Sequence, residues 1–326
     1  MRASAHSRRK PHRQRGAALL TAMIIVTLVA TLAASMVWQQ WRAVQVESAE
    51  RAREQAAWIL SGALDFARLI LREDLRSGKV TALTEPWATP LAEARLSTFL
   101  AVDKANAGDA PEAFLSGHID DAQARYNLMD LVSQGKVDPL EVETLQRLCL
   151  AVGVESGVAQ IIANGLLEAT ASPTATTTGA GATATAPLLP RTLAQLSWLG
   201  VDAPSLKALR PYVVLLPVAT PVNVNTASRE VLAAAIKGLD LASAERLVQM
   251  RQRTPFQTVQ TFTAQVAAFA PLTAKLDVRS SFFEVHGRLR LADHVLVENS
   301  LVQRLPNGQV NVLRRERVAS LDAGGT

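Results

Sequence analysis

The stretch from Gly16 to Trp41 carries no charged side chain, and it constrains the fold more than any other part of the sequence. As a helix it would be roughly 35 to 40 Å long, enough to cross the hydrocarbon core of a bilayer. The residues before it are basic and include no acid; they are Arg2, Arg8, Arg9, Lys10, Arg13 and Arg15. The positive-inside rule therefore predicts a single-pass protein with a cytoplasmic N-terminus and an extracytoplasmic remainder.

Three interpretations fit this N-terminus. A secretory signal peptide requires a shorter apolar core and a small-residue cleavage site, and Thr31-Leu32-Ala33 is a poor one. An uncleaved anchor fits the hydropathy equally well. In the third interpretation, Gln14-Arg15-Gly16 followed by Ala17-Ala18-Leu19-Leu20 resembles the leader of type IV pilins and pseudopilins. That resemblance implies cleavage by prepilin peptidase between Gly16 and Ala17, with N-methylation of the new N-terminal Ala17.

Removal of such a leader would change the charge of the chain. The formal net charge of the whole sequence is +5, and the leader contains the basic residues named above. Taking those six positive charges away leaves a mature chain of about −1. The basic composition is therefore no indication of nucleic-acid binding. The single cysteine, Cys149, excludes an intrachain disulfide, and we interpret it as a small buried apolar residue.

The pattern of apolar residues predicts an α+β fold. Small and apolar residues spaced three or four apart extend the long transmembrane helix as an amphipathic helix to about Arg76. A short helix is expected over Leu91–Ala101, and two extended pieces over Gly117–Leu128. From Phe283 the pattern alternates with period two, and Pro306-Asn307-Gly308 marks a hairpin turn. We expect the long N-terminal helix to lie on a small antiparallel, pilin-like sheet.

Strand patterns on both sides of a helical block indicate an insertion into this sheet. We expect a basic leader over 1–16, and the N-terminal helix with the first part of the core over 17–127. Residues 128–276 would form an inserted α-helical domain of the sterile-alpha-motif-like or helix-hairpin-helix type. Residues 277–326 would supply the antiparallel strands that complete the core.

A helix-hairpin-helix pattern follows Val222-Asn223-Val224-Asn225-Thr226. We expect Asn225 or Thr226 to cap the first helix, Gly238-Leu239-Asp240 to form the turn, and Asp240 to cap the second helix. Such hairpins often bind DNA, so a membrane-anchored periplasmic DNA-uptake receptor is the alternative function. The charge of Asp240 would repel a phosphate, which argues against nucleic-acid binding.

Two segments make the resemblance to pseudopilins more specific. Asp121-Ala122-Gln123 with Tyr126-Asn127-Leu128, together with the segment 222–226, is similar to the K-class minor pseudopilins of type II secretion systems, the GspK family. The resemblance implies an inner-membrane subunit with a periplasmic domain that initiates and caps the pseudopilus. The partners that it implies are the minor pseudopilins of the I and J classes, the major pseudopilin and prepilin peptidase.

The sequence offers no set of catalytic residues. None of the five histidines has metal-ligand spacing, and Asp120 with Asp121 is interpreted as a solvated turn. K-class proteins commonly carry an acidic calcium-binding loop, but the segment 170–186 has no Asp or Glu. We therefore expect no enzyme activity, no cofactor and no metal in that loop. Calcium binding at other acids, such as Asp120 or Asp121, stays open.

Thr21 would be the fifth residue of the mature chain, where most pilins and pseudopilins carry glutamate. In that family the carboxylate pairs with the N-terminal amine of an adjacent subunit. The Thr21 hydroxyl can instead bond to a carbonyl one turn back in its own helix. The absence of the acid fits a subunit with no neighbour above it. Thr21 can equally be one of several tolerated polar residues in the helix, like Thr27, Thr31 and Ser35.

Overall fold

A computed structural model describes residues 15–78, 80–96, 113–170, 187–267, 269, 275–291 and 294–319. The chain divides into two compact units, Met1–Trp58 and Ile59–Thr326. The predicted loop at 170–186 lies outside the described residues except for its first residue. The leader residues before Arg15 also lie outside them.

Helices and strands alternate irregularly along the chain. The helices are α1 (Arg15–Ser77), α2 (Pro139–Ala151), α3 (Gly157–Thr170), α4 (Ala203–Leu209), α5 (Arg229–Ala235), α6 (Leu241–Arg253) and α7 (Val259–Gln265). The strands are β1 (Leu91–Arg95), β2 (Ala113–Asp121), β3 (Tyr126–Asn127), β4 (Val132–Ser133), β5 (Lys136–Val137), β6 (Val213–Val214), β7 (Val222–Asn223), β8 (Leu276–Asp277), β9 (Phe282–Leu291), β10 (His294–Arg304) and β11 (Val310–Ala319). Short 3-10 turns cover Pro86–Ala88, Ala122–Ala124, Leu128–Leu131 and Leu193–Leu199.

The first unit is the N-terminal part of α1. Its apolar side chains from Leu19 to Val46 are exposed on every side of the helix. Within the described part of the chain, one helix, Ala17–Ser77, is long and apolar enough to cross a membrane. A helix that is apolar all round requires an apolar surrounding, because water offers no favourable contact to its surface. This finding agrees with a single-pass membrane anchor.

The second unit contains a five-stranded antiparallel sheet in the order β1-β2-β9-β10-β11. The C-terminal part of α1 packs on it through Leu64, Ala67 and Leu71, which follow a three-and-four spacing. Opposite them, Ile119 and Phe283 belong to the same core cluster. The predicted α+β class with a long helix on an antiparallel sheet is confirmed.

The helix expected over Leu91–Ala101 is wrong where the structure describes it. Residues Leu91–Arg95 form β1, which pairs with β2 through Leu91 opposite Gly117 and Arg95 opposite Phe114. The free edge of β2 offers unpaired backbone groups, and pairing with them outweighs the local helical preference of these residues. Just before β1, Trp87 is fully buried and meets Phe283 edge-on at a centroid distance of 5.4 Å.

A second core lies among the helices between β2 and β9. Its fully buried side chains include Leu145, Leu148, Ile162, Leu166 and Phe262. Helix α2 packs against both α3 and α5, and α5 packs against α6. Cys149 is buried in this core and burial raises its pKa to about 11, so it is an unreactive thiol.

The apolar spacing of the sequence predicts that Leu140 and Trp198 are buried, and both predictions are wrong. Leu140 is 51% exposed, whereas its neighbours Glu141 and Val142 in the same turn of α2 are buried. Trp198, expected in the core, is 56% exposed. The position in its 3-10 turn that reaches the core is Leu196, which is 1% exposed.

Candidate functional site

A buried polar junction connects the sheet to the helical region, the part of the chain between β2 and β9. Asp121 lies at the centre of this junction. Asp121 is the last residue of β2 and is 4% exposed. Its Oδ2 accepts hydrogen bonds from Asn223 Nδ2 at 2.9 Å, Thr226 Oγ1 at 2.6 Å and Ser280 Oγ at 2.6 Å. Its Oδ1 accepts from the Gln123 backbone N–H at 2.8 Å. The interpretation of Asp121 as part of a solvated turn is therefore wrong.

The electrostatics of Asp121 reflect its burial. Burial raises the pKa of this carboxyl group, while hydrogen bonds from Ser280, Thr226 and Asn223 act in the opposite direction. The carboxylate is surrounded by N–H and O–H donors, which occupy the lone pairs that a cation would need. The junction is thus a structural arrangement, and it does not provide the calcium site left open in the sequence analysis.

Two further residues of the motif segments cross-link the junction. Gln123 donates through Nε2 to the Pro221 carbonyl at 3.0 Å and accepts at Oε1 from the Ser281 N–H at 2.6 Å. Asn127 donates through Nδ2 to the Val218 carbonyl at 2.7 Å and to Thr220 Oγ1 at 3.0 Å. Both side chains are buried. The segments 121–128 and 220–226 are therefore held together by hydrogen bonds from buried side chains, to other side chains and to the backbone.

A buried ion pair fixes the end of α1 beside the same junction. Arg304 contacts Asp74 Oδ2 through Nη1 at 2.6 Å and donates through Nη2 to Thr81 Oγ1 at 2.8 Å. The Thr81 carbonyl in turn accepts from Asn223 Nδ2 at 2.9 Å. Burial raises the pKa of Asp74, and Arg304 opposes the rise. One hydrogen-bond network therefore joins α1 and β10 to the helical region between β2 and β9.

A separate buried cluster contains two acids and a lysine. Asp130 and Glu141 are buried, and the Lys275 ammonium lies 3.3 Å from Asp130 Oδ1 and 3.6 Å from Glu141 Oε1. The Tyr126 hydroxyl donates to Glu141 Oε2 at 3.0 Å. Burial raises the pKa of Asp130 to about 6, with Lys275 opposing the rise. Asp130, Glu141 and Lys275 each have an ionic or hydrogen-bonding partner within this cluster.

The helix-hairpin-helix turn adopts a defined geometry. Gly238 has a φ of +87°, and Leu239 is buried. Asp240 is the N-cap of α6 and accepts from the Ser243 N–H at 2.6 Å. The hydrogen bond from that backbone N–H lowers the pKa of Asp240, which keeps it charged.

The first helix of the hairpin is capped by a different residue from those expected. Ser228 is the N-cap of α5 and accepts from the Val231 N–H at 3.3 Å. Asn225 is instead buried and bonds both ways to the Phe256 backbone, each at 2.9 Å. Thr226 serves the Asp121 junction. Both residues are taken up by tertiary contacts, which a local capping pattern does not reveal.

The N-terminal residues predicted to act in processing lie at the start of α1. Gly16 and Ala17 are within its first turn. The Thr21 hydroxyl donates to the carbonyl oxygens of Ala17 at 3.1 Å and Ala18 at 3.0 Å. The hydroxyl is thus satisfied inside its own helix.

Known proteins resemble this chain over most of its length. Two family models described as "Type II secretion system (T2SS), protein K" match residues 124–218 and 222–279. A Pseudomonas aeruginosa type II secretion system protein K is 29% identical, covering 93% of this chain and 92% of the relative. The Klebsiella pneumoniae protein of the same name is 31% identical, covering 78% of this chain and 81% of the relative.

The chain belongs to the type II secretion system protein K family. A solved structure shows the same fold for this GspK-family chain, with a TM-score of 0.64 at 23% identity. That structure is described as the GspK-GspI-GspJ complex of the enterotoxigenic Escherichia coli type 2 secretion system, and the match covers 83% of this chain and 99% of that one. The family matches begin and end close to the junction residues.

Proposed function

We propose that this GspK-family protein is a minor pseudopilin that helps to initiate the periplasmic pseudopilus and caps its tip. The observation that carries the proposal is the size of the helical region between the adjacent strands β2 and β9. A fibre built by repeating one subunit leaves little lateral room for such a region at every repeat. A single subunit at the end of the fibre has that room. The role is non-enzymatic and acts through insertion, processing and packing.

We further propose that residues 128–276 form one inserted domain, between a core segment at 17–127 and the strands at 277–326. The separate helical core around Leu145 and Phe262 supports this division. The Asp121 junction then acts as the attachment between the domain and the sheet. Its buried hydrogen bonds favour a fixed orientation over a flexible hinge.

The N-terminus is proposed to anchor the protein in the inner membrane, with the second unit in the periplasm. Its basic leader would be cleaved by prepilin peptidase after Gly16, and Ala17 would then be N-methylated. We expect Ala17 as the mature N-terminus in mass spectrometry, and retention of the leader in a Gly16→Leu variant. An intact leader in cells with active peptidase contradicts this processing.

The proposed partners are the minor pseudopilins of the I and J classes, followed by the major pseudopilin of the shaft. Support comes from the solved relative of the same fold, which is described as a complex of K, I and J proteins. The satisfied hydroxyl of Thr21 supports a subunit that needs no amine partner above it.

The DNA-uptake alternative is less well supported by the hairpin geometry. At the N-terminus of α6, the Asp240 carboxylate accepts from the Ser243 N–H. A phosphate would need this position, and a charged carboxylate there repels it. Nucleic acid is therefore not proposed as a partner.

Position along the fibre tests the tip assignment. Pseudopili would be isolated from cells that carry a C-terminal epitope tag on this protein and a second tag on the major pseudopilin. Immunogold labelling should mark one end for this protein and the whole shaft for the major subunit. Labels of this protein at regular intervals along the shaft would rule out the cap. Co-purification of the full chain with the I and J proteins, and not with duplex DNA, separates the pseudopilin from the uptake receptor.

A further inference from the structure

Three metal-ligand side chains meet on the sheet where the chain leaves for the helical region and returns. His118 and Asp120 are two residues apart on β2, so their side chains project from the same face. His286 lies on β9 directly opposite His118 in the antiparallel register. The three ligand atoms all lie within 4.8 Å of one another. These residues do not take part in the Asp121 junction, because Asp121 projects from the other side of the strand.

The distances fit a small tetrahedral ion. Asp120 Oδ2 lies 3.5 Å from His118 Nε2 and 3.5 Å from His286 Nε2. Ligands bound to zinc at 2.0 to 2.2 Å in a tetrahedron are about 3.4 Å apart. The two imidazole rings are stacked with centroids 4.5 Å apart and an interplanar angle of 17°. Binding of one ion by both imidazoles therefore requires the exposed His118 ring to turn out of this stacked arrangement.

A hydrogen bond at Nδ1 of His286 orients this ring so that Nε2 faces the cluster. Asn299, opposite His286 on β10, places its Oδ1 2.8 Å from His286 Nδ1. A carbonyl oxygen accepts, so Nδ1 carries a proton, and in the neutral ring Nε2 is then the nitrogen that presents a lone pair. His286 Nε2 is buried and has no hydrogen-bond partner among the described residues. Fixing the tautomer through the second ring nitrogen is the usual arrangement behind metal-binding histidines.

The charges around the cluster favour one divalent ion. Glu284 Oε2 lies 3.8 Å from His286 Nε2, but it is paired with Arg125 Nη2 at 2.8 Å. Asp120 is then the remaining carboxylate facing the two imidazoles. Two nitrogens and one oxygen suit zinc and related transition metals, whereas calcium and magnesium prefer sets of oxygen ligands.

We infer that His118, Asp120 and His286 form a binding site for a divalent transition metal of the zinc type, with Asn299 orienting His286. The side chains of His118 and Asp120 are about half exposed, at 49% and 55%, which leaves a coordination position open to water. The ion would join β2 to β9 at the point where the two strands border the helical region. This goes beyond the proposed place at the pseudopilus tip and does not depend on it.

The test is isothermal titration calorimetry of zinc binding. The untagged full-length protein in detergent would first be treated with chelator to remove bound metal and then titrated with zinc. We expect one site that is lost in His118→Gln and His286→Gln. Asn299→Ala should lower zinc affinity about 10- to 100-fold, whereas Asn299→Asp, which can still accept from Nδ1, should retain it. His294→Gln on β10, a histidine that is not part of this cluster, is the matched control and should leave zinc affinity unchanged. Calcium should not compete at equal concentration.

A measurement on the unchanged protein guards against misfolded variants. Zinc should protect the exposed His118 from diethyl pyrocarbonate, as read by peptide mass spectrometry, while calcium should not. Cobalt in place of zinc should give visible absorption bands typical of four-coordinate nitrogen and oxygen ligation. Equal zinc affinity in wild type and His286→Gln, or modification of His118 that saturating zinc does not reduce, would overturn the assignment.

Discussion

Asp120 and Asp121 are adjacent in sequence, but their side chains project from opposite sides of β2 and have different surroundings. Asp120 is half exposed beside two histidines, whereas Asp121 is enclosed by four hydrogen-bond donors. Because a buried donor without a partner costs free energy, the two acids should respond very differently to the same substitution.

Asp121→Asn tests this difference. The amide nitrogen cannot accept the hydrogen bonds that converge on the carboxylate, so buried donors lose their partner. We expect a loss of about 2 to 4 kcal/mol in the free energy of unfolding, measured by urea titration of the full chain in detergent. Asp120→Asn in chelator is the matched control and should cost less than about 1 kcal/mol. Similar losses for both variants would contradict the structure.

Asp130 makes a pH-dependent contribution. Its pKa of about 6 in the folded protein lies above the ordinary value of 3.8. Between these values the folded state binds more protons than the unfolded state, so this group makes stability fall as pH rises. Asp130→Asn should reduce that fall by an amount on the order of 2 kcal/mol between pH 4 and pH 7. Melting temperatures across this range, with the exposed Asp65→Asn as control, measure it. A slope unchanged by Asp130→Asn would count against the buried carboxyl.

At the residue scale, sequence patterns predicted only local features, such as helix caps and hydrogen bonds within one helix. The cap at Asp240 follows from its position before an amphipathic segment, and the internal bond of Thr21 follows from helix geometry. The partners of Asp121 could not be predicted, because Asn223, Thr226 and Ser280 come from distant positions along the chain. The run of polar residues between valines at 222–226 was the available signal of buried polar contacts.

At the scale of elements, periodicity predicted the long helix and the C-terminal strands well. The apolar stripe of α1 and the alternation in β9 are both long enough to be unambiguous. The short strand β1 was missed, because its pairing with β2 is a tertiary effect and its five residues carry no alternating pattern. Short elements depend on the partner strand more than on their own sequence.

The helix-hairpin-helix turn provides a prediction for this scale. Gly238 has a positive φ, and an added Cβ would meet Phe269 only at an ordinary 3.8 Å, so strain and not space limits the position. Gly238→Ala should therefore destabilise the protein by about 1 to 2 kcal/mol. Gly157→Ala, at the first residue of α3, should be neutral or slightly stabilising. Thermal unfolding of both variants would show opposite signs, and equal shifts would refute the strained turn.

At the scale of the whole molecule, the second unit depends on the C-terminal part of α1. Leu60, Leu64 and Leu71 are at most 3% exposed, and two of them contribute directly to the core cluster of the sheet. We expect a fragment of residues 59–326 to unfold cooperatively in urea. A fragment of residues 78–326 should bind a hydrophobic dye and lose cooperative unfolding.

A single substitution checks the same point in the full chain. Leu71→Ala should cost about 2 to 5 kcal/mol, since it removes buried apolar volume from a fully enclosed site. Leu69→Ala on the exposed side of the helix, which is 45% exposed, should cost far less. Cooperative unfolding of the 78–326 fragment would show that the sheet does not need the helix.

The register between β2 and β9 also sets an order of folding. Asp121 pairs with Phe283, and the whole helical region lies between them along the chain. The hairpins β9-β10 and β10-β11 are local and can close as soon as their residues emerge, whereas β2 must wait for its partner. With the second unit exported as proposed, the C-terminal part of α1 and β2 would cross the membrane first and remain without β9 and β10 until the last strands follow. In the proposed pseudopilus, such a subunit would become competent for assembly only when its C-terminal strands have crossed, so an incomplete chain would not enter the fibre as a folded subunit.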